Sequence, residues 1–127
     1  LPKDIIILSA KFKIEKKSQK DIINKIQQFL ERKKNSQPSK IKTCGSTFKN
    51  PDNHKAWKLI KDSGCNNISF GKASISKQHS NFFVNDGGAS SSDIENLIQQ
   101  VQKKVKQTHN IKLDLEIKLI GEPLNNV

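Results

Sequence analysis

Apolar positions in this chain recur with two periods, and the period separates helix from strand. After Ser18, the residues Ile22, Ile23, Ile26, Phe29 and Leu30 fall at helical spacing and share one face of a predicted helix. Ser18 is suited to cap it, and Arg32-Lys33-Lys34 place cations at its carboxyl end, where the backbone dipole is negative. A second long helix is predicted from Ser92. There Ser92-x-x-Glu95 reads as a capping box, and Ile94, Leu97, Ile98, Val101 and Val105 line one face. Between the two, Asn50-Pro51-Asp52-Asn53 reads as a turn. A short helix follows it, with Ala56, Trp57 and Ile60 inward and Gly64 closing it.

The strand signals are of two kinds. Ile5-Ile6-Ile7-Leu8 is too apolar on both sides for a surface edge and predicts a buried strand, with Phe12 and Ile14 as its extension after a break. Leu113, Leu115, Ile117 and Leu119 alternate with Lys112, Asp114, Glu116 and Lys118, the pattern of a half-buried strand. Ile68–Ile75 and Phe82–Val84 are further strand candidates, the latter ending at Asn85-Asp86-Gly87-Gly88, and Ile41–Lys49 alternates weakly. Asn35–Lys40, with Pro38, is a polar connector. Strands and helices mix without βαβ repetition, so the predicted fold class is α+β, two to three helices packing on mixed strands. No internal repeat is present.

Composition narrows the function classes. The apolar fraction is 33%, below the roughly 45–50% of an average globular domain. That admits either a small, well-solvated core or a core completed by a neighbour. Lys and Arg outnumber Asp and Glu by 23 to 12, a formal charge of +11. Such an excess admits nucleic acid, an acidic membrane surface or a phosphorylated substrate, or a plain bias toward Lys, Asn and Ile. The basic stretch 11–42 has ten Lys and one Arg against three acids, but too few aromatics for a base-stacking platform, and a solvated helix face accounts for it better. We therefore expect no nucleic-acid partner. Cys44 and Cys65 are the only cysteines and the histidines are scattered, which argues against a zinc site and a disulfide scaffold. No apolar run approaches the ~20 residues of a membrane span and no signal-peptide pattern opens the chain. A cytoplasmic protein with no metal and no membrane partner is expected. The Leu1-Pro2 opening, in a chain without Met, leads us to expect a partial polypeptide.

Two constellations could carry chemistry. In Cys44-Gly45-Ser46-Thr47-Phe48-Lys49-Asn50-Pro51, a glycine beside a hydroxyl lets the backbone approach a ligand and the hydroxyl donate a proton at short range. The same residues also suit a plain turn. Glu116 stands on the polar face of the last alternating segment, suited to proton traffic or to simple solvation, with Asp114 and Lys118 beside it and Glu122 just beyond. His54, His79 and His109 have no metal-ligand spacing. Asp86-Gly87-Gly88 lacks the pattern of a nucleotide-binding loop.

Taken in order, Gly45-Ser46-Thr47-Phe48-Lys49-Asn50-Pro51, Ala56-Trp57-Lys58-Leu59-Ile60, Ser76-Lys77-Gln78-His79-Ser80-Asn81-Phe82, Asp93-Ile94 and Glu116-Ile117-Lys118-Leu119-Ile120-Gly121 resemble a known family. It is the carboxyl-terminal domain of the UDP-N-acetylenolpyruvoylglucosamine reductases (MurB), flavoenzymes of peptidoglycan synthesis. Leu1-Pro2-Lys3-Asp4-Ile5-Ile6 is similar to the segment where that family leaves its flavin-binding region, and Gln37-Pro38 also fits. The resemblance implies residues 1–14 as the tail end of the flavin-binding region and 15–127 as the substrate-binding domain. It implies an enzyme in which NADPH reduces FAD and the reduced flavin gives hydride to UDP-N-acetylglucosamine enolpyruvate, forming UDP-N-acetylmuramate. By this resemblance Ser46 is the proton donor to the carbon beside the substrate carboxylate, and Glu116 stabilises the enol-type intermediate with an arginine that would lie before Leu1. Asn50 falls near the substrate diphosphate, Arg32 matches a substrate-contacting arginine, and His79 falls where a polar residue contacts substrate. Cys44 stands where the family usually has alanine. The glycine-rich flavin segments would also lie before Leu1, so the isolated polypeptide is expected to bind no FAD tightly and to turn nothing over without the N-terminal flavin-binding portion. The rival classes are a basic binding module that kept the fold without catalysis, and an RNA-binding domain. The presence of both Ser46 and Glu116 favours the reductase.

Overall fold

A computed structural model describes residues 4–38 and 41–121. Leu1-Pro2-Lys3, the Ser39-Lys40 end of the polar connector, and Glu122 lie outside them. The chain divides into two compact units, Leu1–Arg32 and Lys33–Val127.

The first unit holds most of helix α1 (Gln19–Ser36). Ser18 starts it as the pattern predicts: its Oγ accepts the Asp21 N–H at 3.2 Å and donates to the Asp21 carboxylate at 2.6 Å. The apolar stripe also forms, yet α1 contains no buried residue. Phe29 is 54% exposed. The predicted strand at Ile5–Leu8 is absent: residues 5–18 carry no regular structure, and Ile6 and Leu8 are 83% and 91% exposed. A strand exists only where another supplies its hydrogen bonds, and no described residue does so here.

The second unit is α+β. A four-stranded antiparallel sheet has the order β1-β4-β3-β2, formed by β1 (Thr43–Ser46), β2 (Ser69–Phe70), β3 (Ala73–Ile75) and β4 (Phe82–Asn85). The 68–75 stretch is thus a hairpin and not one strand. Gly71, at φ +54°, turns it, a left-handed conformation that a side chain resists. Helix α3 (Ser91–His109) packs against β2 and β3 and against α2 (Ala56–Asp62), around a core of Phe48, Ile60, Ile75, Phe83, Leu97 and Val101. Phe48 and Phe83 meet edge-to-face, their centroids 5.8 Å apart.

Three local expectations need correction. In α2 the buried stripe is Ala56, Leu59 and Ile60, the i, i+3, i+4 set; Trp57 falls off that stripe and is 41% exposed. Helix α3 begins two residues early, because the capping box is Ser90 with Asp93, not Ser92 with Glu95. Asn85 Oδ1 accepts the Gly87 and Ala89 amides at 2.9 and 3.0 Å, fixing the turn right up to Ser90. The predicted strand over Leu113–Leu119 reduces to a single bridge, Leu115 opposite Phe48. Toward Ile117 the next backbone donor, the Thr47 N–H, is already given to Asn81 O. The alternation survives only as burial, with Leu113 inside and Leu115 and Ile117 half-buried. Among the described residues no helix is long and apolar enough to cross a membrane.

Candidate active site

The site grows out of an irregular strand end. β1 pairs with β4, Thr43 opposite Val84 and Ser46 opposite Phe82, with a bulge in between. Gly45 sits in the bulge at φ +85°, where a residue with a Cβ would be strained. After Ser46 the chain is held on both sides. Thr47 N–H donates to Asn81 O at 2.8 Å, Glu116 N–H donates to Thr47 O at 2.9 Å, and Lys49 N–H donates to Asp114 O at 2.9 Å. Residues from opposite ends of the domain thereby come together.

Ser46, Asn50, His79 and Glu116 line one cavity of about 500 Å³, with Lys49, Lys55, Trp57, Phe48 and Asn81. Ser46 and Glu116 are exposed to it. Among the described residues nothing hydrogen-bonds the Ser46 hydroxyl or pairs with the Glu116 carboxylate. Both groups are open to a ligand. Asn50 is half committed: its Oδ1 accepts the Ala56 N–H at 3.0 Å. That bond closes the first turn of α2, whose own cap residue Lys55 has no side-chain bond to offer. The Asn50 side-chain NH₂ is left as a donor.

His79 is built into the wall. Its ring lies edge-on to Phe82, centroids 4.7 Å apart, and tilted to Trp57 at 6.4 Å. Burial among these rings lowers its pKa from the ordinary 6.5, although a backbone hydrogen bond opposes the shift. The Asn81 N–H reaches His79 Nδ1 at 3.2 Å, so the neutral ring carries its proton on Nε2 and is a donor there. Trp57 and His79 also border a second cavity, about 410 Å³, with Lys61 and Lys77 on its walls.

Arg32, the remaining predicted site residue, belongs to the first unit. Pattern reading missed Lys49, Lys55, Trp57 and Asn81 as wall residues. For Asn81 a signal existed: an amide at the head of the apolar run Phe82-Phe83-Val84. Neither thiol takes part. Cys44 is exposed and Cys65 buried, and burial raises the Cys65 pKa despite nearby Lys104, which keeps that thiol unreactive.

Comparison with known proteins identifies the family. The family profile described as UDP-N-acetylenolpyruvoylglucosamine reductase, C-terminal domain, matches residues 37–120. Curated proteins named UDP-N-acetylenolpyruvoylglucosamine reductase are similar to the chain, at 47% identity in Pelagibacter ubique and 43% in Rickettsia bellii. These matches cover 94% and 96% of this chain but only 41% and 40% of those proteins, so the chain spans about two fifths of the length of the relatives it matches. The crystal structure of UDP-N-acetylenolpyruvylglucosamine reductase (MurB) from Thermus caldophilus superposes with a TM-score of 0.69 at 30% identity, over 84% of this chain and 37% of that one. The chain belongs to the family of UDP-N-acetylenolpyruvoylglucosamine reductase C-terminal domains.

Proposed function

We propose that this chain is the substrate-binding part of an FAD- and NADPH-dependent reductase that converts UDP-N-acetylglucosamine enolpyruvate to UDP-N-acetylmuramate in peptidoglycan synthesis. One observation carries the reading. Ser46 and Glu116, remote in sequence, open onto one cavity with their polar groups unengaged by other described residues.

The flavin is assigned to the part of the relatives' length that this chain does not span. Among the described residues, the glycine pair ahead of α3 does not suit its phosphates. Free amides at the start of a helix are a common seat for a dinucleotide phosphate. At Gly87-Gly88, ahead of α3, the neighbouring amides are taken by Asn85 and the helix start is closed by the Ser90–Asp93 box. When bound, the flavin supplies a hydride to the enolpyruvyl double bond; the chemistry assigned to this chain is the other half, the proton. In this reading the Ser46 hydroxyl gives its proton to the carbon beside the substrate carboxylate, completing the addition of two hydrogens across the C=C bond. A serine hydroxyl is a weak acid, so the departing proton needs compensation. Lys49, and the Nε2–H of a neutral His79, are donors on the same cavity wall. Glu116 orients and stabilises the enol-type intermediate. Asn50, through its free NH₂, and the lysines Lys49 and Lys55 suit a diphosphate. Arg32 is kept as a substrate contact by resemblance alone, and residues 1–14 as the end of the flavin-binding region.

The test is NADPH oxidation by the intact protein. Consumption that depends on added UDP-N-acetylglucosamine enolpyruvate, with UDP-N-acetylmuramate as product, supports the proposal; an intact, flavin-loaded protein that ignores this substrate refutes it. A polypeptide of residues 1–127 alone is expected to purify without flavin absorption bands.

A further inference from the structure

The residue that holds the proton-donor loop in place is one to which the resemblance gave no role. Asn81 is 4% exposed, among the few buried polar side chains of the second unit. Its carboxamide faces the backbone of a single residue. Oδ1 accepts the Phe48 N–H at 2.9 Å, and Nδ2 donates to the Phe48 carbonyl at 2.8 Å. Its own carbonyl accepts the Thr47 N–H at 2.8 Å. The side chain thus does for Phe48 what a neighbouring strand would do, at the point where the ladder between β1 and β4 has ended.

The other side of the same two residues carries the carboxylate. Thr47 O accepts the Glu116 N–H, and Phe48 stands opposite Leu115. Thr47-Phe48 is therefore a bar with Asn81 on one edge and Leu115-Glu116 on the other. Ser46 projects from one end of it. A shift of this bar moves the hydroxyl and the carboxylate relative to whatever occupies the cavity.

We propose that Asn81 is a positioning residue for proton delivery, acting through Phe48 and Thr47 on both Ser46 and Glu116. The inference rests on the reading of the site given above. It needs both halves of the carboxamide, one donor and one acceptor on the same side chain. Alanine supplies neither. A carboxylate supplies only acceptors and sets one against the Phe48 carbonyl, whereas a protonated carboxyl restores the pair.

That chemistry gives a test that separates positioning from plain stability. In the intact protein, Asn81→Ala is expected to slow reduction of the enolpyruvyl substrate about 10- to 100-fold, the scale of a misplaced catalytic group. The NADPH-dependent reduction of bound flavin, in which Ser46 has no part, should keep its rate. Asn81→Asp should be equally slow at neutral pH and recover as pH falls, because burial favours the neutral carboxyl; Asn81→Ala should show no such recovery. Equal loss in both half-reactions, or a pH profile shared by the two variants, would show that Asn81 only stabilises the fold and overturns the proposal. Unchanged substrate reduction in Asn81→Ala overturns it as well. If the unaltered protein itself ignores the enolpyruvyl substrate, the functional reading fails, and the clamp is then judged by hydrogen exchange. Asn81→Ala must expose the Phe48 amide while those of Leu97–Val105 in α3 stay protected; equal protection at Phe48 disposes of the clamp too.

Discussion

Removing the Ser46 hydroxyl is the cleanest perturbation available, because the structure separates its chemical cost from its structural one. Ser46 is exposed at the cavity, and its hydroxyl has no hydrogen bond to any described residue. Ser46→Ala therefore leaves no buried group unsatisfied and opens no hole in the core. A surface change of that kind shifts stability by no more than ~0.5 kcal/mol. Its backbone role opposite Phe82 needs only a residue that tolerates an extended conformation, which alanine does. The rate should fall much further. A positioned proton donor contributes about 100- to 10,000-fold, which is roughly 3–5 kcal/mol of barrier. The change in rate exceeds the change in stability by several-fold in free energy.

Stopped-flow absorbance on the intact protein reads the two half-reactions separately. NADPH should bleach the flavin of Ser46→Ala at the unaltered rate, and the enolpyruvyl substrate should then restore its colour slowly. Affinity for the substrate should hardly move, since in the proposed role the hydroxyl acts at the transition state. Ser46→Cys, which keeps a transferable proton, should recover part of the loss. A Ser46→Ala protein that reoxidises at full speed would remove the hydroxyl from the mechanism. So would a loss explained by a lowered melting temperature.

Three further outcomes follow from other parts of the structure. Glu116→Gln keeps the backbone bond to Thr47 O, so it should fold normally yet lower kcat about 10- to 100-fold with little change in KM; an effect confined to KM would make Glu116 a binding group only. His79 has a pKa below 6.5 in the folded chain, so the unfolded state takes up its proton first. The stability due to neutral His79 is full above pH 6.5 and is lost as pH falls through the lowered folded value; His79→Gln should flatten that part of a Tm-against-pH curve. Gly71→Ala combines a left-handed φ of +54° with a new Cβ pressed on the Asp93 carboxylate. Asp93 can swing aside only by releasing the Ser90 N–H, so a loss of about 2–3 kcal/mol is expected in chemical denaturation.

What the sequence revealed and what it hid divide along a physical line. Periodicity reports which side of an element is apolar, and it found α1 and the body of α3 because a helix makes its own hydrogen bonds. It overstated Ile5–Leu8 and Leu113–Leu119 because a strand's bonds belong to its neighbour, and no pattern within the segment reveals whether a neighbour is within reach. At Leu115 one bridge forms and goes no further toward Ile117, because the Thr47 N–H bonds Asn81 instead; at Ile5–Leu8 no described residue pairs at all. The start of α3 was misread for a related reason: Ser90 and Ser92 offer equal caps in sequence, and only the grip of Asn85 on the preceding turn chooses between them. The cavity shows the same division. Resemblance named Ser46 and Glu116 separately, but their convergence depends on Thr47 and Phe48 being hydrogen-bonded on two edges at once, and one of those edges is a buried amide from a loop. A polar residue heading an apolar run costs free energy to bury unless both its donor and its acceptor find partners. Asn81 sits in that position, and its two bonds to Phe48 are the return that makes its burial tolerable. Such residues are where a sequence departs from its own hydrophobic pattern, and here the departure marks the support of the site more sharply than any helix or strand does.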